Sequence, residues 1–163
     1  MNVIIRKAIK EDIPFVLDLI KELALYEKAP QEVTNTVEEM VKDGFSDHPV
    51  YFCDVAELNG SVVGIAIYFI KYSTWKGKAI YLDDILVTEK MRGKGIGKLL
   101  FNNVLKISHA SGANQLHWQV LDWNTPAINF YKKYPTDFDN EWINCKLNKQ
   151  QLEELNKTLV SST

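Results

Sequence analysis

Between residues 11 and 26, apolar side chains recur at 13, 16, 17, 20, 23 and 24. That spacing lines one side of a 3.6-residue helix, and Glu11 with Asp12 supplies acids to its first turn. Ahead of it, residues 3–8 read as a short strand. Thr36 followed by Glu39 is a capping-box pattern that opens a short helix, which Gly44 can end. Residues 50–58 and 61–72 are strand-like runs joined by Asn59-Gly60, the pair most suited to a two-residue hairpin turn. Residues 79–88 predict another strand, interrupted by Asp83-Asp84, whose side chains strand alternation would send to opposite faces. Residues 95–111 carry apolar positions 96, 99, 100, 104 and 107 and are closed by Gly112, which predicts an amphipathic helix. A strand over 115–121 follows, then a helix capped by Asn124 with Pro126 in its first turn. Residues 142–147 predict a last strand, and Asn148 caps a final helix over 149–159. The order mixes hairpins with crossovers, so the expected fold is a mixed α/β sheet with helices on both faces.

Composition narrows the class. The 163 residues, 46% hydrophobic and 25% charged, suit one globular domain over 1–163. The longest apolar run, 62–70, is too short to cross a bilayer, and the N-terminus has no secretory apolar core. A reducing cytoplasmic setting is the default expectation. Cys53 and Cys145 share no CxxC spacing, and His48, His109 and His117 show no metal-ligand spacing, so no metal is expected. A net charge of −2 argues against nucleic acid and anionic membrane as partners. The charge is nevertheless divided. Residues 11–60 hold twelve acids against three lysines, and residues 61–110 hold three acids against eight bases. Two solvated helix faces would produce this division, and so would a cleft with an acidic side for a cation and a basic side for phosphates.

The most informative segment runs from Tyr81 through Asp83, Asp84, Ile85, Leu86 and Val87 into Arg92-Gly93-Lys94-Gly95-Ile96-Gly97-Lys98. A strand leads into closely spaced glycines, and a helix begins at once. Such glycines let backbone N–H groups approach a ligand, and the helix N-terminus adds unpaired donors with partial positive charge. Arg92, Lys94 and Lys98 add formal charge. A Walker A loop would need glycine at 92 and Ser or Thr at 99, where Arg92 and Leu99 stand. A dinucleotide GxGxxG starting at Gly93 would need glycine in place of Lys98.

Arg92-x-x-Gly95-x-Gly97 resembles the R/Q-x-x-G-x-G/A signature of the GNAT superfamily of N-acetyltransferases. Further matches are Lys21-Glu22-Leu23-Ala24, Tyr26-Glu27, Asp43-Gly44-Phe45, His48-Pro49, Tyr81-Leu82-x-Asp84, Val120-Leu121-Asp122-Trp123-Asn124 and Asn129-Phe130-Tyr131-Lys132. They resemble the branch that acetylates diamines and thialysine, over roughly residues 4–147.

The resemblance implies a mostly antiparallel sheet of six to seven strands flanked by helices on both faces. It implies acetyl-CoA as the acetyl donor, held by residues 92–98, by the main chain of Ile85, Leu86 and Val87, and by Asn124, Ala127, Tyr131 and Lys133. Tyr131 takes the role of general acid for the departing thiolate. Asp83 takes the place of a family glutamate that draws the amine proton through water, one methylene shorter. Tyr26, Glu27, Trp75, Asp83, His117, Trp118 and Gln119 match amine-binding positions, with Glu141 a further candidate. A homodimer is also implied.

Ser73-Thr74-Trp75-Lys76-Gly77 resembles the thialysine-type members, whereas polyamine-acetylating members carry an Asp where Ser73 stands. Lysine-like amines or short diamines are therefore expected to outcompete spermine. Lys132-Lys133-Tyr134-Pro135 lacks the glycine that follows this helix in relatives, and the segment before Trp142 is shorter, which weakens the case for Glu141. Two alternatives stay open: acetylation of a protein lysine or N-terminus, and a CoA-binding sensor without turnover. The presence of both Tyr131 and an acid at 83 speaks against the sensor.

Overall fold

The computed structural model describes residues 2–161, and the chain divides into two compact units, Met1–Gln119 and Val120–Thr163. The first unit is built on a five-stranded sheet in the order β1-β2-β3-β4-β5. Its strands are β1 (Val3–Lys7), β2 (Phe52–Leu58), β3 (Ser61–Ser73), β4 (Gly77–Val87) and β5 (Gln115–His117). All neighbours are antiparallel except β4 and β5, which run parallel. Asn59 and Gly60 both take positive φ, at 51° and 80°, as a type I′ turn between β2 and β3 requires. The helices are α1 (Ile13–Tyr26), α2 (Val37–Gly44) and α3 (Ile96–Ala110). The Thr36 hydroxyl accepts from Glu39 N at 3.1 Å, so the predicted cap opens α2.

Alternation along the strands divides the sheet's faces between these helices. Cys53, Val55, Ile65, Ile67 and Leu86 pack with Ile13, Val16, Leu17 and Leu19 of α1 and Met40 of α2. Burying each such side chain contributes about 1.5–3 kcal/mol. On the other face, α3 presses so close that a Cβ on Gly64 would lie 3.1 Å from Leu100 Cδ1. Here β2 buries the charged Asp54, 2% exposed, whose carboxylate accepts from Asn103 Nδ2 at 2.9 Å and from the Tyr68 hydroxyl at 3.2 Å. Burial pushes this carboxyl's pKa up, and the two donors oppose that shift.

The second unit contains α4 (Thr125–Tyr131) and α5 (Lys149–Ser161). Asn124 Oδ1 accepts from Ala127 N at 3.2 Å. Asn148 and Gln151 exchange side-chain-to-main-chain bonds at 2.9 Å in each direction, a reciprocal cap at the start of α5.

Three expectations need correction. Five strands form among the described residues, not six or seven. The run 142–147 is not a strand, because a strand is defined by pairing and this segment joins no ladder; Trp142 and Ile143 are 74% and 88% exposed. The strand predicted over 115–121 ends at His117, where its pairing with β4 ends.

Candidate active site

Immediately before α3, the chain turns through Gly93 and Gly95 with φ of 74° and 84°, a region that β-carbon-bearing residues enter only at a cost. A Cβ on either glycine would meet nothing within 4 Å, so the main chain here borders open space. Gly95 occupies the N-cap position without any side-chain acceptor, and α3 has no acid in its first turn. The N–H groups that open this helix therefore receive no anion from their own turn. Lys94 and Lys98 are exposed beside them, while Ile96 is buried in the core at 1% exposure. A chain that leaves donors bare and keeps side chains off them fits a pyrophosphate.

Arg92 serves the neck of this loop. Its Nε donates to Val87 O at 3.0 Å, its Nη2 donates to Glu22 Oε1 at 3.2 Å, and its guanidinium lies 5.4 Å from the Tyr26 ring centroid. Glu22 also accepts from Thr88 Oγ1 at 3.0 Å and from Glu89 N at 2.8 Å. One carboxylate on α1 thus fastens three residues of the segment between β4 and the glycines. Arg92, expected to add charge for phosphates, is engaged in this fastening.

β4 contains the acids. A register shift between Ile67 and Tyr68 leaves Asp83 unpaired, with Leu82 opposite Tyr68 and Asp84 opposite Ile67. This β-bulge breaks the alternation that would have separated Asp83 from Asp84. Asp84 joins the α1 face through its register with Ile67, and the negative charges of Asp83 and Glu27 both bear on it. Burial first, then Asp83 and Glu27, raise the Asp84 carboxyl to about 6. Burial also shifts the Asp83 and Glu27 carboxyls upward from their ordinary values. The bulge and the C-terminal end of α1 together gather three carboxylates. Beyond Tyr81, the edge of β4 that faces away from β3 has no strand partner among the described residues, because β5 pairs only with residues 79–81. Main-chain groups of residues 82–86 on that edge have no strand partner, whereas Val87 O is taken by Arg92.

Comparison with known proteins decides the family. Residues 15–134 match the model of the Acetyltransferase (GNAT) family. The chain is a GNAT acetyltransferase. It is 42% identical over 138 residues to the thialysine N-epsilon-acetyltransferase of Bos taurus, covering 80% of this chain and 81% of that protein. It is 34% identical over 161 residues to the human spermidine/spermine N(1)-acetyltransferase-like protein 1, a match that covers 93% of this chain and 23% of that longer protein. An integron cassette protein from V. cholerae shares its fold at a TM-score of 0.77 and 24% identity, covering 96% of this chain and 99% of that one.

In this GNAT chain the candidate amine residues separate. Glu27 joins the acids, and Tyr26 lies under Arg92. His117 sits beside Tyr81 in the ladder, whereas Trp118 packs edge-on against Phe101 of α3, with centroids 5.4 Å apart. The two neighbours thus take opposite faces, and Trp118 lies against the α3 core. Gln119, exposed, ends the first unit. Trp75 is 83% exposed at the tip of the β3–β4 hairpin. Six residues of β4 separate its turn from Asp83, roughly 20 Å of strand. Within one chain the structure does not bring Trp75 to the acids.

The second unit contains the rest. Tyr131 ends α4 at 5% exposure, its ring 5.2 Å from that of Phe130 and its carbonyl accepting from Tyr134 N at 2.9 Å. Asn124 and Ala127 form the cap of α4, Lys133 is exposed after it, and Glu141 is exposed with its N–H donating to Asp139 Oδ1 at 3.0 Å. Sequence reasoning missed Glu22 as the loop's anchor, and no local pattern distinguishes it from a surface acid on α1.

Proposed function

We propose that this acetyltransferase transfers the acetyl group of acetyl-CoA directly onto the primary amine of a small cationic molecule, of the lysine-like or short diamine type. One observation carries the reading: two open, left-handed glycines at an uncapped helix N-terminus stand one loop away from a bulge that gathers carboxylates. Bound acetyl-CoA would supply the acetyl group as a thioester. Gly93 to Lys98 would hold its pyrophosphate, and the main chain of Ile85, Leu86 and Val87, on the edge no strand covers, its pantetheine arm, with Asn124, Ala127 and Lys133 contributing from the second unit.

An alkylammonium has a pKa of ~10.4, so baring its lone pair at pH 7 costs about 4–5 kcal/mol. The acid cluster supports removal of that proton. A carboxylate near 6 is deprotonated at neutral pH yet basic enough to accept a proton from the attacking amine. Asp84 has that property, and Asp83, at the rim, relays the proton to water. Tyr131 gives a proton to the sulfur as it leaves. Cys53 lies in the apolar core with its thiol pushed up to about 12 by burial and nearby acids. A thiol held neutral is a poor carrier of an acyl group.

Both units are proposed to form one catalytic domain, since the family match runs across their boundary. A cytoplasmic homodimer is the proposed setting. The exposed neighbours Trp142 and Ile143 support a partner copy that covers them. Thialysine in a relative's name and the resemblance of residues 73–77 support the amine class.

The test is titration calorimetry with CoA, followed by mass spectrometry of an amine panel incubated with acetyl-CoA. CoA binding and a mass increase of one acetyl group on lysine-like amines are expected. Absence of any heat with CoA would remove the reading.

A further inference from the structure

The face of β3, β4 and β5 that carries His117 also carries a cation. Register sets Lys71 opposite Ala79 and Phe69 opposite Tyr81, and Tyr81 lies beside His117 on β5. Lys71 Nζ is 3.4 Å from His117 Nδ1 and 5.3 Å from the Tyr81 ring centroid, and Phe69 stacks on Tyr81 with centroids 5.1 Å apart. The aromatic pair and the imidazole therefore hold the ammonium in place on a strand, where a solvated lysine would otherwise range freely.

An ammonium offers three donors and no acceptor. At the contact with His117, Nδ1 must accept, which places the ring proton on Nε2. Burial and then Lys71 itself disfavour the protonated ring, in agreement with a neutral imidazole. The result is a seated ammonium that gives one N–H to the ring and keeps two for another acceptor, with the imidazole Nε2–H directed away from it. Asp83 follows Tyr81 by two residues on β4, roughly 7 Å along the strand. Its negative charge bears on the Tyr81 hydroxyl. One face thus presents a cation at one level and carboxylates at the next, comparable with the reach of a lysine-type side chain.

We infer that Lys71, seated on His117 and Tyr81, selects acceptor amines that carry a carboxylate, so that the preferred substrate is an ω-amino acid and not a diamine or polyamine. The inference rests on the acetyl-transfer reading and deepens it. The reacting amine lies at the acids, and the substrate's carboxylate meets the Lys71 ammonium in a charge-assisted hydrogen bond. A diamine would bring its second ammonium against Lys71, with nothing anionic of its own to offset the repulsion.

The experiment compares kcat/KM for L-lysine and for cadaverine, its decarboxylated counterpart, at saturating acetyl-CoA. The wild type is expected to favour lysine about tenfold or more, the strength of a lost charge-assisted pair. Lys71→Met is expected to bring the ratio towards unity, Lys71→Glu to invert it, and Lys71→Arg to restore the preference for lysine. Lys71 is exposed, so thermal melts of the variants are expected to match the wild type. A wild type that favours cadaverine, or a ratio unmoved in both Lys71→Met and Lys71→Glu, overturns the inference while acetyl transfer stands. A wild type that acetylates neither amine removes the parent reading and this inference with it.

Discussion

Glu22 on α1 meets Arg92 at 3.2 Å although 70 residues separate them in sequence. The same carboxylate takes the Thr88 hydroxyl and the Glu89 amide, so the approach to the glycine turn is fixed by a helix from much earlier in the chain. Glu22→Ala is expected to release this segment and raise the dissociation constant of CoA by about tenfold, since bonds to a charged group contribute about 1.5–3 kcal/mol. Glu22→Gln keeps an acceptor and should fall between the two. Calorimetry with CoA reads the effect, and kcat at saturating acetyl-CoA should change less than KM.

Two glycines with the same backbone geometry make a matched pair. Gly95 and Gly60 have φ of 84° and 80°, and neither faces an atom within 4 Å where a Cβ would sit. Alanine at either position should cost about 1–2 kcal/mol of stability through the left-handed region alone. Only Gly95→Ala should also abolish tight CoA binding, because its methyl group would project into the proposed pyrophosphate cradle. Equal CoA affinity in the two variants would contradict that cradle.

Asp84 sets the pH behaviour. Its carboxyl is raised from 3.8 to about 6 in the folded chain, so between these values the native state binds more protons than the unfolded one. Stability from this group therefore falls as pH rises from about 4 to 6 and stays reduced above that. Asp84→Asn should raise the melting temperature at pH 7.5, with a gain that shrinks as pH falls towards 4. In the wild type, kcat/KM should decline below about pH 6 as the proposed base becomes protonated. A flat acid limb would reassign the base.

Tyr131→Phe removes one oxygen from a side chain that is 5% exposed. The expected result is a fall in kcat of about 100-fold or more, in the usual range for a lost general acid, with CoA affinity close to normal. Stopped assays for kcat beside CoA calorimetry separate these effects. Wild-type turnover would take the acid role away from Tyr131.

Features set by neighbouring residues were legible in the sequence. Asn59-Gly60 predicted its turn, Thr36 and Asn124 predicted their caps, and the apolar stripe of residues 13–24 predicted the buried side of α1. The glycine turn was legible as local geometry, encoded by where side chains are missing. Pairing across distance was not legible. The bulge at Asp83 depends on how β3 registers with β4, so alternation alone assigned the two acids to opposite faces. The run 142–147 has the composition of a strand, but composition supplies no partner. Glu22 and Lys71 acquire meaning from residues that sequence alone does not set beside them, Arg92 at 70 positions and His117 at 46.

The short ladder between β4 and β5 has a cost and a use. It stops at Tyr81 and His117, although residues 118–121 include Trp118, Val120 and Leu121, side chains well suited to continue it. Zipping those residues onto β4 would add hydrogen bonds and close a seam where the backbone of β4 has no strand partner among the described residues. The enzyme therefore forgoes rigidity at the fork between the two strands. Engineering for heat resistance by extending this ladder would trade away turnover before it harmed the fold.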